Sequence, residues 1–283
     1  MESKTESALE KARLHLEQKQ YKNARLMYFQ AFNQVSDPKA RAIIWAELSW
    51  VYYYEGEYGR AIEAAENVLL HDEDYRARDD LFRLQGYAYI AQKNNILAER
   101  YLTQSLNENN TDDKQQYVKY ELAKLHFSRG NYDLAHPLFE EILDFFSGRD
   151  ADYKMSVLFF LGFVCYYLES FSQARGYFEQ ILSDDPTDSR KASGFFGLAF
   201  VEFHDKNYLN VISLCEKIMG LAPDFFDRES VAFLTAASYY HLGRFDIFNE
   251  YSRELIKAFP NGRYVNELQA MQQKHPDQGN AAN

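Results

Sequence analysis

The 283-residue chain has only two cysteines, Cys165 and Cys215, too few for a disulfide framework, and this favours a reducing compartment. No run approaches the roughly 18 apolar residues of a membrane span, and the mean hydropathy is −0.50. Positive charge is also short. Against 42 Asp and Glu stand 31 Lys and Arg, a formal net charge of −11, so nucleic acid is disfavoured as a partner. The opening residues "MESKTESALEKARLHL" lack the apolar stretch of an export signal. The expected location is therefore cytoplasmic if the chain is complete, and periplasmic or envelope-associated if a signal has been removed. A Gly-rich phosphate loop, H-E-x-x-H and C-x-x-C are all missing, so the motifs point to no catalysis, metal or cofactor. An enzyme is not expected.

What the chain does have is a repeated phrase. "QYKNARLMYFQAF", "EYGRAIEAAENVL", "NYDLAHPLFEEIL" and "SFSQARGYFEQIL" begin at residues 20, 57, 131 and 170. Aligned on the first ring, the phrase places Tyr21, Tyr58, Asn95, Tyr132, Phe171, Tyr208 and Phe245 at spacings of 37, 37, 37, 39, 37 and 37. Three residues later come Ala24, Ala61, Ala98, Ala135, Ala174, Val211 and Phe248. Nine residues earlier lies a small residue in every copy, Ala12, Ser49, Gly86, Ala123, Gly162, Ala199 and Ala236. A fixed period in this range marks a solenoid. Apolar residues recur at three- and four-residue spacing on both sides of the phrase, so each unit is an antiparallel helix pair. Gly56, Gly130 and Gly243 mark the end of the first helix, and Pro186, Pro223 and Pro260 the end of the second. Neither helix can bury its apolar face alone, so the pairs must stack.

These units resemble the tetratricopeptide repeat (TPR) family over about residues 5–262. The second unit supplies Trp45, Leu48, Ser49, Tyr52, Tyr58 and Ala61 of the pattern; the fifth supplies Leu158, Leu161, Gly162, Phe171, Ala174, Phe178 and Pro186. The resemblance implies an all-α, right-handed superhelical solenoid of antiparallel helix pairs with a C-terminal capping helix. Seven repeats run longer than the family's usual 34 residues, and a lengthened start of helix A is the expected place for the excess. Units one to four span 5–147 and units five to seven 148–262, with a candidate hinge at 147–152 where two residues are inserted. A capping helix follows at 263–275 and a mobile tail at 276–283. A shorter likeness, in "KAFPNGRYVNELQ", is to bacterial envelope TPR lipoproteins.

In the family, helix A lines a concave groove with positions 15, 12, 8, 5 and 4 residues before the corner ring. Those positions assign a candidate partner-binding surface. The second unit contributes Trp50, Tyr53 and Tyr54; the third Arg83 and Tyr87; the fourth Tyr120, Lys124 and Phe127. The fifth contributes Phe159, Phe163, Tyr166 and Tyr167; the sixth Phe196, Phe200, Phe203 and His204; the seventh Phe233, Tyr240 and His241. If about sixteen such rings each exposed a quarter of their area, the apolar patch would reach roughly 600–1,000 Å². Two readings stand beside each other: recognition of a protein or peptide with apolar or aromatic anchors, and A helices packed tightly enough to bury the rings among themselves. The Lys, Asn and Arg set with which chaperone-adaptor members clamp a carboxylate is not matched, since only Arg83 and Lys124 are basic here. A non-catalytic interaction scaffold is the expectation. The alternatives are a structural component of an envelope complex and a regulatory receptor for a peptide or small molecule.

The remaining candidates are minor. His204 and His241 stand 37 apart at equivalent places, as a pair able to titrate or bind metal together, or as two independent imidazoles. Cys165 and Cys215 fall at inward positions and are expected in the core. The sequon "NNT" at 109–111 carries weight only in a secreted eukaryotic context.

Overall fold

Each of the seven turns within a repeat reverses the chain at a left-handed residue two positions before the corner ring. Gly56, Gly130 and Gly243 take φ of +79°, +75° and +72° there, while Lys19, Lys93, Glu169 and Lys206 are forced to between +57° and +62°. The hydrogen bonds explain the demand. Glu57 N–H donates back to Tyr52 O at 2.9 Å and Gly56 N–H to Tyr53 O at 3.0 Å, satisfying carbonyls that the helix end leaves bare. Ser170 N–H to Cys165 O (2.8 Å) and Asn207 N–H to Glu202 O (2.9 Å) repeat this bonding.

The computed structural model describes residues 2–108, 113–183 and 188–275. The sequon at 109–111, Pro186 and the tail at 276–283 lie outside them. Among the described residues there are helices and no strand. The first helices of the repeats are α1 (Glu2–Glu17), α3 (Pro38–Tyr54), α5 (Arg78–Ala91), α7 (Lys114–Ser128), α9 (Ala151–Tyr167), α11 (Asp188–His204) and α13 (Arg228–His241). The second are α2 (Tyr21–Gln34), α4 (Tyr58–His71), α6 (Asn95–Glu108), α8 (Tyr132–Ser147), α10 (Phe171–Ser183), α12 (Tyr208–Leu221) and α14 (Phe245–Ala258), and α15 (Val265–Lys274) follows. Every corner ring begins its helix. The surplus over 34 residues is divided. Helices α3, α9 and α11 reach 17 residues, whereas α5 and α13 have 14 and the excess sits in the links before them.

The chain forms two compact units, Met1–Arg129 and Gly130–Asn283, divided at the turn inside the fourth repeat. In the first, α1 to α7 pack in chain order, and α3 also touches α5. In the second, α8 to α15 pack in chain order, with α9 against α11 and α11 against α13. The inserted residues between α8 and α9 lie within this second unit. Pro137 falls inside the second turn of α8.

The core is organised around the position seven residues after the corner ring. Tyr28, Ala65, Leu102, Phe139, Phe178, Cys215 and Ser252 occupy it, and all are buried. Size is matched across the pair. A Cβ at Gly86 would overlap Leu102, and a Cβ at Gly162 would overlap the Phe178 ring. Phe178 meets a second glycine, Gly197, on the next helix A, where a Cβ would overlap it again. One ring therefore closes its own helix pair and joins it to the following pair.

A second contact links repeats at their corners. The corner ring stacks on the last residue of the next helix A: Tyr21 on Tyr54 at 5.4 Å, Tyr132 on Tyr167 at 4.6 Å, Phe171 on His204 at 3.6 Å and Tyr208 on His241 at 4.8 Å. The series continues with Phe245 on His275 at 3.8 Å. Helix α15 is thus the first helix of a half repeat. Its outward residues Asn266, Gln269 and Gln273 are polar and exposed, so apolar stacking ends there. Ion pairs run parallel to this ladder. Arg25 meets Glu55 (3.1 Å) and Arg175 meets Asp205 (3.0 Å), and the third repeat reverses the polarity with Glu99 and Arg129.

Two outcomes follow for stability. Left-handed backbone costs a non-glycine residue about 1–2 kcal/mol, and glycine's extra chain entropy offsets part of the gain. Lys93→Gly and Lys206→Gly should each raise stability by about 0.5–1 kcal/mol in urea unfolding, and Gly56→Ala should lower it by about 1 kcal/mol. Gly197→Ala should cost about 1–3 kcal/mol by overpacking. In a double-mutant cycle, Phe178→Leu should recover part of that loss; additive losses would show that the ring and the glycine do not interlock.

Candidate functional site

In the first unit the ring-bearing faces of α3 and α5 meet around one indole. Trp50 Nε1–H donates to Asp80 at 2.7 Å; Asp80 also pairs with Arg83, whose guanidinium lies 4.9 Å from the Trp50 ring centre. Tyr53 packs edge-on against Trp50 (5.8 Å) and reaches Tyr87 at 6.5 Å. On α7, Lys124 Nζ sits 3.1 Å from Glu121 and 4.8 Å from the Tyr120 ring centre. Tyr120 is buried and Phe127 half-buried, while Tyr54 is exposed along one side of its stack. Both basic groove residues are already neutralised by a carboxylate on their own helix. An incoming carboxylate would have to compete with Asp80 or Glu121.

In the second unit the rings crowd more closely. Phe163 touches Phe159 (4.9 Å), Phe178 (5.1 Å), Phe200 (5.5 Å) and Phe196 (5.8 Å), and only 5% of it remains exposed. Phe196 and Phe233 are also buried. Phe159, Tyr166, Phe200, Phe203 and Tyr240 keep part of their surface, and Tyr167, His204 and His241 are exposed around their stacks. The lining is therefore two layers deep. An inner row belongs to the core, and an outer row faces solvent. The five groove positions on each of α9, α11 and α13 include no Asp, Glu, Lys or Arg.

Two contributors lie outside the helix register. Phe226, in the link between α12 and α13, is 69% exposed and packs edge-on against Phe159 (6.0 Å) and Phe196 (5.8 Å), while Phe225 beside it is buried. Tyr264, just before α15, stacks on Phe233 at 4.0 Å and bonds Ser230 Oγ at 2.8 Å. The pair "FF" after Pro223 was the available signal for the first. For Tyr264 the period offered no signal, since an eighth corner at the 37-residue spacing would fall at 282, eighteen residues further on.

The sequence matches no family model and no curated protein. Solved structures do match. RapI in its apo form aligns with a TM-score of 0.70 at 10% identity, over 97% of this chain and 82% of that one. The C-terminal part of a TPR repeat-containing protein from Cytophaga hutchinsonii aligns with a TM-score of 0.63 at 15% identity, over 91% and 97%. YrrB, a TPR protein with an unusual peptide-binding site, aligns with a TM-score of 0.57 at 15% identity, over 70% and 93%. The chain has the tetratricopeptide-repeat fold.

Within this TPR fold the polar candidates are absorbed by packing. Cys165 Sγ lies 3.6 Å from His136 Nε2, and His136 Nδ1 lies 3.3 Å from Glu140, an order of groups that can activate a nucleophile. Yet the thiol is 1% exposed, and burial, assisted by Glu140, pushes it up to about 11. Its proton stays on sulfur at neutral pH, and the row joins α8 to α9 as a polar contact that runs from the buried thiol out to the exposed Glu140. Burial likewise pushes Cys215 up to about 11. His204 and His241 stack on different corner rings, and among the described residues no three His, Cys, Asp or Glu side chains are grouped to hold a metal. Among the described residues no helix is long and apolar enough to cross a membrane.

Burial lowers the His241 imidazole from its ordinary value of 6.5; Glu267 opposes this and Lys206 reinforces it. His126 on α7 is lowered in the same way, mainly by burial, with Glu99 opposing and Arg129 reinforcing. The unfolded chain then binds protons at a higher pH than the folded one, so this stabilisation is complete above about pH 6.5 and is lost as pH falls through the folded values. Urea midpoints should therefore drop between pH 7.5 and pH 5.5. His241→Phe, which keeps a ring in the stack, should shrink that drop relative to the parent; an unchanged drop would place its origin elsewhere.

Proposed function

We propose that the chain is a non-catalytic interaction scaffold that holds a peptide or protein segment against the outer ring row of the second unit. The carrying observation is the exposure of Phe226 beside the half-buried Phe159. A fully covered ring buries 150–250 Å², so Phe226 at 69% and Tyr167 at 48% exposed present about 200–300 Å² between them. The partly open faces of Phe200, Phe203 and Tyr240 extend the surface toward the size at which patches on monomers tend to be functional. Tyr and Phe anchors bring large contact area at low entropic cost, as recognition surfaces require. YrrB, with its peptide-binding site on the same fold, supports the reading.

The inner row gives this surface a rigid base but is a poor target for mutation, because Phe163→Ala would remove a core ring. The informative variants are Tyr167→Ser and Phe226→Ser, used separately. Affinity capture from the source organism should recover a protein with the intact chain and lose it with either variant at an unchanged melting temperature. Equal recovery by both variants would move the contact off this surface.

A further inference from the structure

We infer that the segment held by the second unit is cationic, with an apolar anchor seated beside Phe226 and Lys or Arg close to it in sequence. This rests on the surface proposed above and adds the chemistry of its occupant. Residues 130–283 contain 22 of the chain's 42 acidic residues but only 13 of its 31 basic ones. Nine of the eleven net negative charges therefore belong to the unit that carries the accessible rings.

The local arrangement points the same way. The groove positions of α9, α11 and α13 offer no ionic partner, so a charge carried into the ring row would be desolvated without compensation. Charges on the occupant must instead lie at its edges, as Asp224, Asp227 and Glu229 do beside Phe226. A cleft of about 390 Å³ beside Phe226 carries Asp224, Asp227 and Glu229 against Arg228 and Arg263. The Arg263 guanidinium is already held by Asp227 and by Glu229 (Nε to Oε2, 3.2 Å), and Asp224 and Arg228 both stand exposed, so the three carboxylates and two guanidiniums leave the cleft one net negative charge. Other bases of the unit are committed in the same manner, Arg175 to Glu202 and Asp205, and Arg190 to Asp152. An acidic segment would meet net repulsion from this body, and a basic one would be steered toward it.

The test is a random 12-residue peptide library displayed on phage, selected on the full chain and counter-selected on the Tyr167→Ser and Phe226→Ser variants. Clones that need either ring should carry an aromatic residue or leucine and a net charge of +2 or more. As synthetic peptides they should lose at least ten-fold in affinity between 50 and 300 mM NaCl, chiefly through the association rate, and bind no longer when their Lys and Arg are changed to Glu. Ring-dependent clones that are neutral or acidic, or whose affinity ignores salt, would overturn the charge inference and leave the surface standing. Selection that yields no ring-dependent clone would overturn both.

Discussion

The structure depends first on one steric match, a large side chain on helix B entering the gap left by small residues on two A helices. Phe178 is the clearest case, lying against Gly162 of its own repeat and Gly197 of the next. A single buried ring thus couples the closing of one helix pair to the docking of its neighbour. Local and inter-repeat stability become one term there, which is how a solenoid gains cooperativity from nearest-neighbour contacts. Where the helix A residue is larger, the helix B residue shrinks, as with Ser49 and Ala65 or Ala199 and Cys215. The first and fourth repeats depart from the trade, combining Ala12 with a fully buried Tyr28 and Ala123 with a fully buried Phe139.

With that interlock in place, the corner rings are free for a different task. Each begins a helix B and offers a flat face to the end of the following helix A. That end supplies tyrosine at residues 54 and 167, and histidine at 204, 241 and 275. Tyr58 has no such partner because α5 ends in Ala91, and where the third and fourth repeats have Asn95 and Ser128 no ring pair is available, but the ion pair of Glu99 with Arg129 still ties adjacent turns of the first unit. The αL residues set this geometry, because they fix the direction in which helix B leaves the corner. Four of the seven are non-glycine and strained, so the turn is maintained by packing against residue preference.

Much of this is legible in the sequence, for a physical reason. Period, corner ring and small residue each answer to contacts within about forty residues, and those contacts impose residue types that a reader can recognise. The helix pairs, the inward cysteines and the turns at Gly56, Gly130 and Gly243 follow from them. What could not be read is how closely adjacent A helices approach. That distance decides whether a ring is core or surface, and it separates Phe163 from Tyr167 although both occupy groove positions. Phe226 and Tyr264 were hidden for another reason. They lie in links between helices, where no period constrains them, and only the folded chain brings them onto Phe159 and Phe233. The pairing of His204 and His241 with corner rings was equally invisible, since each partner lies 33 residues away and neither residue type demands the other.

The two-layered lining bears on how such a scaffold can recognise anything. A groove filled by its own rings has little adaptability, because each buried ring is held by several others and cannot rotate without opening the interlock. In the binding role proposed above, recognition would work through the outer row, on a surface preshaped by the core and therefore low in ordering cost. That favours a partner contributing a few well-placed anchors over one that inserts deeply. It also explains why the ionic groups sit at the margins, in Asp224 and the carboxylates that hold Arg263, since a charge among the rings would carry a desolvation cost with no partner to offset it. In the second unit the same packing that makes the repeats stack thus leaves an apolar centre with its ionic groups at the margin, whereas the first unit keeps Asp80, Arg83 and Lys124 among its rings only as carboxylate-paired charges.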